Sequence, residues 1–357
     1  MFHSVTKFEL SVRANIRTPF STKPVGDIGP IYGVNVAGTL TKRHAVQKTV
    51  AKTITFNGVG LHSGLPVRMT VEAARSNTGL SFVRSDIAAD SNDTRDARIE
   101  ARWDSVVPSK LCTLIRNKDG VEISTIEHIM AALAGCGVTN AVVSVDGPEV
   151  PIEDGSAAPF VAALLSAGLV RQEGPTRVLK VLKSVEVVVG DATARLEPAE
   201  TMEIDFHIDF EDSAIGVQTK NLVMANGAFI RELSNSRTFC RQAEVDWMQS
   251  NGLALGGVPG ENAVVFDGDH VESGAGLRHD DEPVRHKMLD ALGDLALAGA
   301  PILGRYVGVR SGHAMTNALL RELFATPGAW AFATVNEAVA QTLPGAGVSV
   351  SDLSYCA

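Results

Sequence analysis

The chain has 357 residues, of which 45% are hydrophobic and 20% charged, and its formal net charge is −9. Such a composition is globular, leaves room for two domains with cores of their own, and excludes a wholly disordered chain. The negative charge argues against a general nucleic-acid binder, because such proteins meet phosphate with a basic surface. No apolar run is long and clean enough to span a bilayer, so we expect no stable membrane insertion.

The four cysteines are scattered along the chain and form no CxxC pair: Cys112, Cys136, Cys240 and Cys356. This spacing predicts free, buried thiols in a reducing compartment. It does not suggest a disulfide framework or a cysteine zinc site.

Residues 1–44 show no steady hydrophobic period and are interrupted by prolines and glycines. Basic residues outnumber the two acidic ones, Glu9 and Asp27, a composition that transit peptides share. We expect instead a disordered or non-core N-terminal extension, or a mis-assigned start. The lack of a long apolar segment argues against a secretory signal.

Residues 45–172 are predicted to form a first α+β domain. A glycine-rich turn at 58–64 carries His62, where glycines would let the backbone approach a ligand, although most loop histidines have no special role. The capping-box spacing from Ser124 to Glu127 predicts a helix start, and Gly135 a helix end. The other predicted elements are strands at 49–56, 66–73, 98–116 and 140–145 and a helix at 157–168.

The pattern then repeats over residues 176–328, which are predicted to form a second α+β domain with an apolar insertion at about 239–266. Strands are expected at 178–189, 193–197, 202–210 and 306–309, and helices at about 227–234, around residue 286 and at 317–324. Residues 329–357 are expected to be a loose C-terminal tail. The predicted fold class is thus α+β, with two similar two-layer α/β sandwich domains and the active site between them.

Two short stretches suggest chemistry. If residues 286–294 are helical, His286, Asp290 and Asp294 share one face, and a His–Asp pair on an otherwise apolar helix suits a borderline metal such as zinc. The plainer alternative is an ordinary His–Asp contact, and a metal would need a third ligand from elsewhere. Glu127 and His128 pair a carboxylate with an imidazole, as a metal ligand with an adjacent general base requires, although Glu127 could simply cap its helix.

Six motifs occur in order between about residues 47 and 325: GVGLHSG at 58–64, STIEHIMAALAG at 124–135, DGSAAPF at 154–160, SRTF at 236–239, VRHKMLD at 284–290 and SGH at 311–313. Together they resemble the zinc-dependent UDP-3-O-acyl-N-acetylglucosamine deacetylases of lipid A synthesis. Six ordered matches are far more specific than any one of them alone. The resemblance does not extend to residues 1–44.

The resemblance implies a catalytic metal site. One zinc per chain, or Fe²⁺ in its place, would be bound by His128, His286 and Asp290, with water in the fourth position. Glu127 would be the general base, and a protonated His313 would stabilise the oxyanion and donate a proton to the leaving amine. The same resemblance implies that Thr238 hydrogen-bonds the oxyanion and that Asp294 orients His313 and favours its charged form.

The resemblance also implies substrate contacts. Lys287 follows a ligand, so we expect it to point off the ligand face and reach the substrate phosphates. The apolar insertion resembles a hydrophobic passage for the acyl chain, although plain core packing fits its sequence nearly as well. The expected contacts are Lys287, Phe239, Arg237 near the diphosphate, Asp209 and Phe210 near the uracil, His62, Leu111 and Cys112. Some family members carry a lysine where this chain has Ala192, so one sugar-nucleotide contact would be absent or replaced.

The expected function is zinc-dependent hydrolysis of the N-acetyl group of UDP-3-O-acyl-N-acetylglucosamine, releasing acetate, by a monomer in the cytoplasm of a Gram-negative bacterium. One alternative is another zinc amidase or esterase on the same scaffold, which would act as fast on a substrate lacking the acyl chain. A second alternative is a non-enzymatic nucleotide-sugar binder, which would hold no stoichiometric metal. The acyl length preferred and the choice between zinc and iron do not follow from the sequence.

Overall fold

The computed structural model describes residues 45–356, so the predicted N-terminal extension at 1–44 lies outside the described residues. Within this range the strands are β1 (Val46–Val50), β2 (Ile54–Val59), β3 (Pro66–Ala73), β4 (Leu80–Arg84), β5 (Arg98–Glu100), β6 (Val106–Val107), β7 (Leu114–Arg116), β8 (Glu122–Ile123), β9 (Ala141–Val145), β10 (Leu169–Pro175), β11 (Arg177–Val181), β12 (Val185–Val189), β13 (Ala192–Glu197), β14 (Met202–Asp209), β15 (Val217–Val223), β16 (Phe239–Arg241), β17 (Val264–Asp267), β18 (His270–Glu272), β19 (Ile302–Val309) and β20 (Trp330–Thr334). The α-helices are α1 (Ser85–Ala89), α2 (Glu127–Cys136), α3 (Ala158–Ala167), α4 (Ala228–Glu232), α5 (Gln242–Ser250), α6 (Glu282–Ala296), α7 (His313–Ala325) and α8 (Glu337–Ala340). None of these helices is long and apolar enough to cross a membrane.

The first half of the described chain builds a sheet with the strand order β2-β3-β9-β4-β5. β3 shows the predicted alternation, with Val67, Met69 and Val71 buried and the residues between them more exposed. The strands pair antiparallel except for β4 and β9, which run parallel. Helix α3 packs on β2, where the ring of Phe160 lies edge-on to Phe56 with 5.1 Å between ring centroids.

The second half builds a larger sheet with the order β12-β13-β19-β11-β20, to which β14 and β15 are added beside β19. β19 is its centre, because it runs antiparallel to β13 and parallel to β11 and β14. Helices α6 and α7 pack against this sheet. The fold class is therefore α+β, as the sequence predicts. The boundary expected near residues 172–176 covers the second half of β10 and Thr176, just before β11, and the exact domain limits stay predictions.

Several predicted strands differ in extent from the observed ones. The predicted strand 49–56 is two strands, β1 and β2, because β1 pairs with β10 while β2 pairs with β3. The stretch 98–116 holds only the short strands β5, β6 and β7 and a 3-10 helix at Trp103–Ser105. β15 was not predicted, because it lies at the sheet edge with no fully buried residue and therefore shows no clear apolar alternation.

The capping box predicted for α2 is wrong. The helix begins at Glu127, and no side chain caps it. Ser124 is held outside the helix, since both its N–H and its hydroxyl donate to the carbonyl of Pro148. The helix ends at Gly137, which adopts a left-handed conformation with φ 75°. Gly135 lies inside the helix, where a Cβ would meet the ring of Phe229 at 1.9 Å.

The C-terminal segment is not a loose tail. β20 pairs antiparallel with β11 along its length, and Ala331, Ala333 and Val335 are buried. The side chain of Asn336 accepts a hydrogen bond from the backbone of α8, and a final 3-10 helix at Val350–Tyr355 packs on α3 and α4. β20 is a short run of mostly apolar residues, Trp-Ala-Phe-Ala-Thr, and a run without polar alternation does not by itself indicate a strand, which is why the sequence pattern missed it.

The close crossing of α2 and α6 positions the site. At Gly293, in the middle of α6, a Cβ would lie 2.1 Å from the carbonyl oxygen of Glu127 and 3.1 Å from the backbone nitrogen of Ala131. Only glycine allows two helix backbones to approach this closely. The crossing brings the first turn of α2 over the face of α6 that carries His286 and Asp290.

We predict that Gly293→Ala forces α2 and α6 apart, because its Cβ would meet backbone atoms that cannot rotate away. The overpacking should lower the free energy of unfolding by about 1–3 kcal/mol, outweighing the roughly 1 kcal/mol that alanine gains in a helix. Chemical denaturation of both proteins measures this. Gly147→Ala is the control, since the nearest atom to its added Cβ would be Cγ2 of Val67 at 3.8 Å. Equal stability of the two variants would contradict the crossing described.

Candidate active site

Three buried side chains converge where α2 crosses α6. His128, His286 and Asp290 each offer one ligand atom, and these atoms lie within 4.8 Å of one another. Oδ1 of Asp290 is 3.6 Å from Nε2 of His128 and 3.3 Å from Nε2 of His286. The third side chain that a metal site would need beside the His286–Asp290 pair is therefore offered by α2.

The donor set fits a divalent cation. Nδ1 of His286 lies 3.0 Å from the carbonyl oxygen of Ser236, which can only accept, so Nδ1 carries the proton and the lone pair of Nε2 faces Asp290. Burial lowers the pKa of His286 to about 4, which keeps the imidazole neutral. Oδ1 of Asp290 is buried and has no hydrogen-bond partner within residues 45–356. A buried carboxylate oxygen left unpaired beside an imidazole lone pair is the arrangement that a metal ion satisfies.

Lys287 lies closer to this cluster than the sequence suggested. Its Nζ donates to Oδ2 of Asp290 at 2.9 Å, so it does not point off the ligand face. The four-carbon stem is long enough to fold back along the helix to a residue three positions away. Burial alone would lower the pKa of Lys287, but the charge of Asp290 raises it, so the lysine remains a cation.

A second group of charges borders the cluster. Nε2 of His313, the first residue of α7, lies 3.8 Å from Oε1 of Glu127 and 3.9 Å from Oδ2 of Asp290. Its Nδ1 is 2.8 Å from Oδ2 of Asp294. Burial alone would lower the pKa of His313, but the charges of Asp294, Glu127 and Asp290 raise it to about 9. Burial raises the pKa of Glu127.

Thr113 connects these charged residues, although no sequence pattern points to it. Its backbone N–H donates to Oε2 of Glu127 at 3.0 Å, and its hydroxyl donates to Oδ1 of Asp294 at 2.5 Å. Its carbonyl accepts from the N–H of Ile126, the residue before α2. The neighbours Leu111 and Cys112 were expected as substrate contacts from the family resemblance, but a threonine in a strand-like segment carries no distinctive pattern.

A cavity of about 420 Å³ opens beside the cluster and is largely apolar. Four of the predicted substrate-contact or catalytic residues line it: His62, Leu111, Thr238 and Phe239. The centroid of the Phe239 ring lies 6.3 Å from that of His286, so the cavity adjoins the His128–His286–Asp290 cluster. Its remaining wall comes mainly from α5 and the loop between α5 and β17, so the apolar insertion builds a cavity as well as a small core of its own.

The glycine-rich turn is fixed by Glu149, another residue that the sequence did not single out. Its buried carboxylate accepts from the N–H groups of His62 at 2.8 Å and Ser63 at 2.9 Å and from the hydroxyl of Thr125 at 3.1 Å. Gly60 lets this carboxylate approach, because a Cβ there would lie 2.3 Å from Oε2. Nδ1 of His62 has no hydrogen-bond partner in the described part of the chain.

The other predicted contacts have mixed surroundings. Phe210 packs edge-on against Phe239 with 5.7 Å between centroids, so it adjoins the cavity. Asp209 is ion-paired with Arg310 at the end of β14. Cys112 is buried within 3.5 Å of the hydroxyl of Ser109, and burial together with Glu127 raises the pKa of its thiol to about 11. It is therefore a neutral thiol at neutral pH.

Arg237 is not free to contact a diphosphate. Its side chain is buried, its Nε donates to Glu282 at 3.0 Å, and the other two nitrogens donate to the carbonyls of Ser273 and Gly276 at 2.9 and 2.7 Å. A buried arginine with its donors occupied in this way ties the start of α6 to the preceding loop. The motif that singled out Arg237 therefore marks a structural ion pair.

Comparison with known proteins identifies the family to which this chain belongs. A family model described as LpxC, UDP-3-O-acyl N-acetylglycosamine deacetylase, matches residues 47–325. A relative from Phenylobacterium zucineum (strain HLK1) is 48% identical over 83% of this chain and 99% of its own length. Relatives from Pasteurella multocida (strain Pm70) and Shewanella sp. (strain W3-18-1) are 42% and 44% identical over 82% and 80% of this chain and 94% and 91% of their own lengths. All three are named UDP-3-O-acyl-N-acetylglucosamine deacetylase. This chain belongs to that deacetylase family.

Proposed function

We propose that this chain is a metal-dependent amidase that removes the N-acetyl group of UDP-3-O-acyl-N-acetylglucosamine and releases acetate, an early committed step of lipid A synthesis. The observation that carries the proposal is the convergence of His128, His286 and Asp290 with Glu127 and His313 beside one apolar cavity, where His313 is partly exposed and the other four are buried. Family membership and the relatives' names indicate the substrate.

The metal would be held by His128, His286 and Asp290, and we propose zinc, one per chain, with Fe²⁺ as a possible substitute. Two imidazoles and one carboxylate are the ligand set of a catalytic zinc site, which keeps a position open. The chemistry that such a site supplies is Lewis-acid polarisation of the amide carbonyl and a lowered pKa for water.

Glu127 is the proposed general base. Glu127 lies next to the proposed ligand His128 in the first turn of α2. Burial raises the pKa of its carboxyl group, which makes it a better proton acceptor. The N–H of Thr113 holds one carboxylate oxygen, while the other faces His313. Glu127 is thereby oriented to accept the proton of the attacking water.

His313 is the proposed general acid and oxyanion stabiliser. Asp294 accepts from its Nδ1, so the protonated Nε2 is directed toward Glu127 and Asp290, where the scissile amide would lie. A cation at this position would stabilise the developing negative charge and then donate its proton to the leaving amine. Thr238, at the cavity wall, would add a hydroxyl donor to the oxyanion.

The cavity is proposed to take the acyl chain, with Phe239 and Leu111 on its wall and His62 at its end near the glycine-rich turn. Lys287 would approach the substrate from the metal side, with Cys112, Phe210 and Asp209 as further proposed contacts. A substrate with a long apolar chain would gain about 0.8 kcal/mol for each methylene group that it buries there. We propose that the enzyme works as a monomer in the cytoplasm of a Gram-negative bacterium, without a nucleic-acid partner.

Glu127→Gln should keep the metal and lose turnover, because it removes the base without touching a ligand. We expect kcat to fall by at least roughly 100-fold, the usual contribution of a general base, with metal content unchanged. Acetate release and elemental analysis measure the two quantities. Glu203→Gln on β14, distant in sequence from the motifs, is the matched control and should behave as wild type. An unimpaired Glu127→Gln enzyme would remove the residue from the role of base.

Asp294→Asn should shift the alkaline side of the pH profile. In the wild type His313 stays protonated up to about pH 9, so kcat/KM should fall only as pH rises toward that value. Removing the negative charge of Asp294 favours neutral His313 and lowers its pKa, so the fall should begin at lower pH in the variant. An alkaline limb that is identical in both enzymes would show that His313 is not the acid.

A further inference from the structure

Thr113 contacts both halves of the proposed acid–base machinery at once. It lies in the segment just before β7 and is buried. Its backbone N–H donates to Glu127 on α2, and its hydroxyl donates to Asp294 on α6, which in turn accepts from His313 on α7. Two hydrogen bonds from one residue therefore reach α2 and α6, and the bond between Asp294 and His313 extends the connection to α7.

We propose that Thr113 is a positioning residue for the deacetylation, acting on the base through its backbone and on the acid through its hydroxyl. This inference rests on the proposed function, since it assigns Thr113 a task within that reaction. Thr113 is not placed against the substrate, and it acts through Glu127 and Asp294.

The hydroxyl is the contact that fixes Asp294. Oδ2 of this carboxylate accepts from His313, and Oδ1 accepts from Thr113, with no other side-chain or backbone donor to Asp294 within the described range. Asp294 is buried, so water has little access to replace a lost donor. A carboxylate held at both oxygens has one orientation, whereas a carboxylate held only by His313 can turn about its last bond and misdirect the imidazole.

Threonine suits this task better than a flexible donor. Its β-branched side chain favours few χ1 rotamers, which limits where the hydroxyl can lie. The carbonyl of Thr113 also accepts from Ile126, so the backbone that carries the hydroxyl is tied to the start of α2. The backbone N–H and the hydroxyl of one residue thus hold both the base and the carboxylate that orients the acid.

The test compares Thr113→Val, which keeps the shape and loses the hydroxyl, with Thr113→Ser, which keeps the hydroxyl. Loss of a hydrogen bond to a buried carboxylate should lower kcat by roughly 10- to 100-fold in Thr113→Val, with KM within about twofold of wild type. Metal content should be unchanged. Thr113→Ser should recover kcat to within about fivefold of wild type, because one donor is restored with a looser rotamer.

Thr49→Val is the control for losing a buried threonine hydroxyl. Thr49 lies on β1, in a different part of the fold, and its hydroxyl accepts a hydrogen bond from the N–H of Ala74 at 3.2 Å. The kcat of Thr49→Val should therefore stay as in wild type. A wild-type kcat in Thr113→Val would overturn the proposal. So would an equal loss in Thr113→Ser and Thr113→Val, or a loss that appears in KM or metal content alone.

A spectroscopic readout separates this proposal from the proposed function. In protein labelled with ¹⁵N-histidine, the Nδ1 proton of His313, assigned by its absence in His313→Gln, should shift in Thr113→Val and remain near its wild-type position in Thr113→Ser. This signal does not depend on turnover. If the wild-type protein does not release acetate, the proposed deacetylase function is wrong, whatever the NMR spectrum shows. If the His313 Nδ1 proton resonance does not shift in Thr113→Val, the proposal that Thr113 positions His313 through Asp294 is wrong. If Thr113→Val does not fold, Thr113→Ala takes its place in both measurements.

Discussion

The site depends on the close approach of α2 and α6. Their backbones come so near at Gly293 that a single added carbon would collide with the carbonyl of Glu127. This approach lets His128 from one helix face His286 and Asp290 from the other, with the two imidazole rings edge-on at 5.0 Å between centroids. The ligand set is therefore a property of helix packing, and it cannot form from either helix alone.

The electrostatics follow from placing these groups out of water. Three carboxylates, Glu127, Asp290 and Asp294, are buried close together, and Lys287 and His313 are the cations that face them. The same burial neutralises His286 while the surrounding carboxylates keep His313 charged. Two histidines in one site thus receive opposite protonation states, one suited to ligation and the other to proton donation.

Much of this arrangement follows from the sequence, but the contacts that orient it do not. The i, i+4 spacing of His286 and Asp290 predicted a shared helix face, and the structure confirms that geometry. Thr113 and Glu149 act through hydrogen bonds across more than ten residues of sequence, so no local pattern reveals them. For Arg237 the motif predicted a substrate contact where the structure has a buried ion pair with Glu282. A sequence motif does not show whether an arginine is already paired. β20 was missed because its alanines alternate with aromatic residues and not with polar ones, so no period-two pattern marks the strand.

The central claim is that the α2–α6 crossing holds a metal ion, and metal content tests it most directly. Wild type, Asp290→Ala and the exposed control Asp269→Ala would be purified without chelators and measured by elemental mass spectrometry before and after zinc is added back. We predict about one zinc or iron per chain in wild type and in the control, and a large loss in Asp290→Ala. Three proteins equally free of metal after zinc add-back, or an Asp290→Ala protein that retains its metal, would contradict the account.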